Sequence, residues 1–177
     1  MVRIALLLSA LAAIAISYAA PWNMTTAISS SISNISPYET LDSPPRIPVT
    51  MKKCTGHRLS EQNYLRAKEQ MIEWSECRNG KIYPGSAHAE SYPDKNSGAT
   101  WYVCNCKWLY ADKVPRWELD YAQQVLETEC GKWQSGWVWS KKWDKGYNVV
   151  PTEWFKAHEV IEKICPPHCF FWLPRVR

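Results

Sequence analysis

The chain has 177 residues, enough for one folded domain with appendages, and its net charge of +4 is mild and evenly scattered. That charge pattern argues against a nucleic acid partner. Seven cysteines and eleven tryptophans are the compositional outliers. Because seven is odd, one thiol should be free or bonded to another molecule. The tryptophans should fill a small core or line a contact surface.

Residues 1–19 have the pattern of a secretory signal peptide. Arg3 precedes an apolar run that ends in small residues, and we expect cleavage after Ala19, with Ala20 as the alternative. The run is shorter than a membrane-spanning helix requires, which makes a membrane anchor the weaker interpretation. The sequence therefore predicts a secreted, extracellular protein whose cysteines form disulfides.

Residues 20–50 are rich in serine, threonine and proline and have no apolar period. This composition predicts a disordered leader that buries too little apolar surface to fold and is dispensable for folding. The leader contains two glycosylation sequons, at Asn23 and Asn34. The pair formed by Lys52 and Lys53 could be a processing site, but a solvated strand end is the better interpretation.

The folded domain is predicted over residues 51–150. A weak strand near its start precedes a helix that runs from Ser60, a favourable N-cap, to about Cys77. The apolar residues of this helix recur at helical spacing. Residues 81–92 form a poor strand, interrupted by proline and glycine, of the kind found at sheet edges.

Residues 99–131 contain the clearest strand and helix of the chain. At a spacing of two, one face of the strand would carry Thr100, Tyr102, Cys104, Cys106 and Trp108, and the other would carry Trp101, Val103, Asn105 and Lys107. After a linker that ends at Pro115, an apolar stripe runs from Leu119 to Cys130, and Gly131 ends the helix. We expect the cysteine-bearing face of the strand to meet the helices.

Residues 135–140 form a further strand, and a short extended piece follows at 147–150. The order strand, helix, strand, strand, helix, strand predicts an α+β fold. We expect a ferredoxin-like split βαβ (β-α-β-β-α-β) antiparallel sheet, with two helices on one face and disulfide staples. Residues 151–177 would form a third helix, capped by Thr152, and a cysteine-containing tail. The apolar run 170–173 predicts that this tail packs back on the domain.

The cysteines are assigned to structural disulfides, with one left over: Cys54, Cys77, Cys104, Cys106, Cys130, Cys165 and Cys169. On a strand, Cys104 and Cys106 would lie about 7 Å apart on one face, so each should bond to a separate partner. We predict Cys77 and Cys130, in either order, as those partners. Cys54 would then pair with Cys165 or Cys169, which would tie the tail to the first strand.

Two reactive alternatives are weaker. Zinc held by Cys165, His168 and Cys169 would have three ligands and no second pair at matching spacing. Segment 86–93 loosely resembles the guanyl-specific ribonucleases of fungi, yet Asp94 stands where their histidine follows the proline, so the acid–base pair is incomplete. We expect no catalytic residue, metal or cofactor. Four solvated loop histidines are the better interpretation of His57, His88, His158 and His168.

Three segments are similar to the virally encoded killer-toxin α subunit of smut fungi: residues 101–106 (WYVCNC), 118–122 (ELDYA) and 130–131 (CG). There too, a Cys-x-Cys strand leads into a Glu-Leu-x-Tyr-Ala helix that ends in Cys-Gly. Small secreted avirulence effectors of plant-pathogenic fungi share this plan, and one group of them works beside a second, unrelated effector. The resemblance covers about residues 54–150.

The resemblance implies a secreted fungal effector that acts without catalysis. It would bind a host protein or a companion effector, in host tissue or after translocation into host cells. A killer-toxin-like protein that acts on membranes is one alternative. A secreted ribonuclease or carbohydrate-binding protein is the other, because tryptophans and lysines mixed over residues 137–143 could stack on sugar rings or bases.

A binding module of this plan would use the sheet face that the helices leave open. We expect that face to carry aromatic anchors and a lysine rim, the composition that binding surfaces favour. The residues expected there are Trp101, Val103, Asn105, Lys107, Trp137, Trp139 and Trp143. On this expectation, replacing Trp101 with alanine would abolish partner binding and leave the domain folded.

Overall fold

The structure is a computed structural model that describes residues 45–95 and 97–170. The expected signal peptide, most of the leader, the sequons at Asn23 and Asn34 and the end of the apolar run 170–173 lie outside these residues. Within them, no helix is long and apolar enough to cross a membrane. The packed chain begins before the predicted domain start, because Ile47 is 2% exposed and belongs to the core.

The described chain contains strands and helices in the predicted order, which confirms an α+β fold. Its strands are β1 (Met51–Arg58), β2 (Ser86–Tyr92), β3 (Ala99–Asn105), β4 (Gln134–Ser140) and β5 (Lys145–Pro151). Its helices are α1 (Glu61–Ile72), α2 (Arg116–Cys130), α3 (Thr152–Ala157) and α4 (Ile161–Ile164). A π-helical turn (Glu73–Cys77) continues α1 to the predicted end at Cys77, and a 3₁₀ turn (Pro167–Phe170) follows α4. The predicted third helix is therefore divided into two short ones.

The strands form one antiparallel sheet in the order β1-β4-β5-β3-β2. The antiparallel sheet is confirmed, whereas the ferredoxin-like split βαβ order is not. In that order the first and third strands are neighbours, but here the β4–β5 hairpin lies between β1 and β3. The extended piece predicted at 147–150 is a full strand, because β5 pairs with β3 along its whole length and with β4 beside it.

Both long helices pack on one face of the sheet, as predicted. Tyr64 and Met71 of α1 join Leu119 and Leu126 of α2 in a single buried cluster. Apolar side chains of β3, β4 and β5 complete this cluster from the sheet. Helix α2 ends at Gly131, whose φ of 88° is a conformation that glycine adopts without the strain of a Cβ atom.

All seven residues of β3 are buried, and its two faces are opposite to those expected. Trp101 and Val103 face α1 and α2 in the core, and the indole Nε1 of Trp101 donates to the carbonyl oxygen of Tyr64 at 3.2 Å. The expectation that Trp101, Val103 and Asn105 lie on an open face is therefore wrong. Both faces of β3 are apolar, so alternation alone could not decide which face the helices cover.

The second face of the sheet, opposite α1 and α2, is partly covered by the C-terminal segment. Disulfides join Cys104 to Cys165 and Cys106 to Cys169, and Tyr102 packs against Phe155 of α3 with ring centroids 5.3 Å apart. The expected packing of the tail onto the domain is thus present up to the 3₁₀ turn.

The disulfide pairing differs from the predicted one. Separate partners for Cys104 and Cys106 are confirmed, but those partners are tail cysteines, because the cysteine face of β3 points away from the helices. Cys54 bonds to Cys130 and so links β1 to the end of α2. Cys77, predicted to bond to β3, is the exposed free thiol.

Replacing Trp101 with alanine should destabilise the domain by about 3–5 kcal/mol, because it removes a fully buried indole from the core. Urea unfolding followed by circular dichroism measures the change. Tyr83→Ala is the control, since Tyr83 is exposed and its loss should change the free energy of unfolding by less than about 0.5 kcal/mol. Equal stability of Trp101→Ala and the native protein would contradict this assignment of the faces.

Candidate protein-binding surface

Two loops meet at the end of the sheet where β2 begins and β3 ends. Loop 78–85 precedes β2 and loop 106–115 follows β3, and Ser86 pairs with Asn105 in the sheet. A backbone bridge joins the loops: the Ile82 N–H donates to the Asp112 carbonyl at 2.8 Å, and the Asp112 N–H donates back at 2.9 Å. The bridge holds the two loops side by side.

The Asn105 amide, fully buried at the end of β3, fixes the same two loops. Its Nδ2 donates to the carbonyl oxygens of Ile82 and Tyr110, each at 2.9 Å. Its Oδ1 accepts the backbone N–H of Lys107 at 3.1 Å. One side chain therefore uses both its donors and its acceptor to hold backbone atoms of the loops.

A buried lysine anchors the start of α2 beneath loop 106–115. Lys145 Nζ lies 2.6 Å from Glu118 Oε2 and donates to the Lys113 carbonyl, also at 2.6 Å. The Tyr147 hydroxyl donates to the same Glu118 oxygen at 2.6 Å. Burial, together with the negative charge of Glu118, raises the pKa of Tyr147, so this hydroxyl keeps its proton and remains a donor. A buried charge paired and hydrogen-bonded in this way holds a fixed geometry.

Asp112 extends the charged network to the surface. Its Oδ2 lies 2.6 Å from Lys107 Nζ and 3.2 Å from Lys145 Nζ. Burial opposes ionisation of Asp112, but the two lysines outweigh it and hold the pKa of this carboxyl below its ordinary value. Lys107, predicted to lie on the open face of the strand, therefore lies beyond β3 in loop 106–115, where it pairs with Asp112 of the same loop.

The two loops expose four large apolar side chains, which we call the aromatic loop patch. Tyr83 lies on loop 78–85, and Trp108, Leu109 and Tyr110 lie on loop 106–115; their exposed fractions range from 61% to 71%. Aromatic side chains that are exposed on a fixed backbone are typical of protein-binding surfaces, because their burial by a partner costs little conformational entropy.

The tryptophans predicted for the contact surface lie in different places. Trp139 is 4% exposed on the second face, and Trp137 is half-buried beside it. Trp143 follows β4 and packs edge-on against Trp117 of α2, with ring centroids 5.9 Å apart. The residues that were predicted to form one contact surface therefore lie in different parts of the molecule. Trp101 and Val103 are in the core, Trp137 and Trp139 are on the second face, and Trp143 packs against a helix.

Three of the four histidines contact aromatic rings. His88 stacks on Trp74 with ring centroids 3.4 Å apart, and its Nε2 lies 2.9 Å from Glu90. His158 stacks on Trp154 at 4.4 Å, and His168 meets Trp139 edge-on at 5.2 Å. The fourth, His57, is exposed on β1.

Two of the three zinc ligands considered from the sequence, His168 and Cys169, do lie close together in the structure, with Cys106 as the third residue. Ligand atoms of Cys106, His168 and Cys169 lie within 4.8 Å of one another. Cys106 and Cys169 are bonded to each other, however, and a disulfide offers no thiolate to a metal.

None of the four patch residues was predicted to lie on a binding surface. Tyr83, Leu109 and Tyr110 fall in no periodic segment, and Trp108 was placed on β3 because it continues the alternation past the end of the strand. A useful signal was present: residues 108–110 are consecutive large apolar residues outside any helix pattern, and Tyr83 is followed by proline and glycine.

Comparison of the chain with protein-family models, curated proteins and solved structures found no match. Its class therefore rests on the structure itself. The chain is an α+β, cysteine-rich domain with three disulfides, a feature typical of extracellular or secreted proteins.

Replacing Asn105 with alanine should destabilise the domain by about 2–3 kcal/mol, because the Tyr110 carbonyl and other loop groups lose a buried partner. Asn63→Ala is a matched control, since Asn63 makes one exposed bond, to the Ser97 carbonyl, and should change stability by less than about 0.5 kcal/mol. Urea unfolding of the variants measures both. Equal effects of the two substitutions would show that Asn105 does not hold the loops.

Proposed function

We propose that this protein is a secreted, non-enzymatic effector that acts by binding another protein through the aromatic loop patch. The observation that carries the proposal is the exposure of Tyr83, Trp108, Leu109 and Tyr110 on two joined loops. Exposed aromatic anchors of this kind act as hot spots when a partner excludes water from them.

The resemblance to killer-toxin α subunits and fungal avirulence effectors supplies the class of partner. On this proposal the partner is a host protein or a companion effector. The chain order of β1, α1, β2, β3, α2 and β4 is that of the split βαβ plan, but in the sheet β5 rather than β1 lies between β4 and β3, so the proposed relation rests on the chain order alone. Three disulfides and the expected signal peptide support action outside the producing cell.

The buried network supports a binding role for the patch in a further way. Asn105 and Asp112 fix the backbone on which the exposed side chains stand. A partner would then meet a surface that is already ordered, so association would lose less entropy than with a flexible loop.

The test is partner capture with a patch variant and a control variant of the disulfide-bonded protein. The patch variant carries Tyr83→Ser, Leu109→Ser and Tyr110→Ser, and the control carries Val160→Ser, which removes an exposed apolar side chain elsewhere. Proteins captured from infected tissue are quantified by mass spectrometry, and the leading candidate is purified and titrated by calorimetry. We expect the patch variant to bind at least about 30-fold more weakly, as loss of a hot spot of roughly 2 kcal/mol implies.

The control should bind like the native protein. Equal capture by the native protein and a folded patch variant would contradict the proposed surface. Dye release from liposomes by the native protein, at concentrations below those needed for capture, would favour the membrane-active alternative instead.

A further inference from the structure

The second face of the sheet has a cavity of about 310 Å³ beside the C-terminal segment. Trp137, Trp139 and Val150 line it from the sheet. Trp154 of α3 and Ile164 of α4 line it from the C-terminal segment. Its volume is at the lower end of the range for small-molecule sites, which are concave and largely apolar.

The C-terminal wall of this cavity is held covalently. Cys165, directly after Ile164, bonds to Cys104 of β3, and Cys169 bonds to Cys106. The Trp154 ring is held by stacking on His158. The two disulfides and the stacking of Trp154 on His158 therefore hold the C-terminal wall of the cavity next to the sheet.

The Trp139 ring on the sheet side has space because its partner in β5 is glycine. Trp139 pairs with Gly146, and a Cβ atom there would come within 2.7 Å of a ring carbon. The ring can therefore lie across the β5 backbone. This close approach gives the cavity a flat aromatic wall.

The ammonium group of Lys163 gives the cavity a positive charge. Lys163 and His57 line the cavity together with the hydroxyl-bearing Tyr102, and none of the described residues that line it carries a carboxylate. Burial raises the pKa of Tyr102, so that side chain stays neutral. A ligand that places an anionic group at Lys163 would gain a charge-assisted contact there while its apolar part is buried by the tryptophans.

We infer that this cavity binds a small apolar molecule with one carboxylate, such as a medium-chain fatty acid. The cavity volume of about 310 Å³ is at the lower end of the range for small-molecule sites, which favours a ligand as small as octanoate. This inference is independent of the aromatic loop patch, which lies on loops that do not line the cavity.

The test uses the full disulfide-bonded chain and two probes that differ in charge. Octanoate and octan-1-ol are titrated by calorimetry and by intrinsic tryptophan fluorescence, which reports on the indoles lining the cavity. We expect saturable binding of octanoate at one site per chain, with octan-1-ol at least five-fold weaker. Lys163→Met should reduce octanoate affinity to that of octan-1-ol and leave the alcohol unaffected.

Two further variants complete the test. Lys142→Met removes an exposed lysine that does not line the cavity and should leave octanoate binding unchanged. Ile164→Trp should fill the cavity and abolish the binding of both probes. The inference would be overturned if the folded native protein bound neither probe, if both bound equally well, or if octanoate binding survived Lys163→Met and Ile164→Trp unchanged.

Discussion

The structure depends on the burial of β3 on both faces. Trp101 and Val103 fill the core beneath the helices, while Tyr102 and Cys104 meet the C-terminal segment on the second face. The last residue of the strand, Asn105, uses its buried amide to fix the loops that carry the aromatic loop patch. The core, the covalent attachment of the tail and the proposed binding surface therefore share one strand. A shift of one residue in that strand would exchange its faces and disrupt all three.

Periodicity and end signals in the sequence were sufficient to predict the α+β class, the antiparallel sheet and the position of the two long helices. Ser60 and Gly131 lie at helix ends as expected. Alternation could not assign the faces of β3, because a strand that is buried on both sides has no polar face. The pairing of the cysteines followed from that assignment, so one error in the face of the strand produced the wrong partners for Cys104 and Cys106.

The tryptophans illustrate why the candidate site was only partly predictable. Trp101 is a core residue, Trp139 lines a cavity and Trp108 is exposed on a loop, although all three occur in similar apolar surroundings in the sequence. Their different roles depend on long-range pairing of strands and on where β3 ends. The buried network around Lys145 was equally hidden, because a lysine at a turn is ordinarily solvated. Its burial depends on long-range partners, Glu118 of α2 and Asp112 and the Lys113 carbonyl of loop 106–115.

The central claim is that the odd-numbered residues of β3 face the helices and its cysteines face the tail. Peptide mapping of the purified, non-reduced protein by mass spectrometry tests this claim most directly. The account predicts linked peptides containing Cys54 with Cys130, Cys104 with Cys165 and Cys106 with Cys169, and alkylation of Cys77 without reduction. A bond from Cys104 or Cys106 to Cys77 or Cys130 would place the cysteine face against the helices and contradict the account.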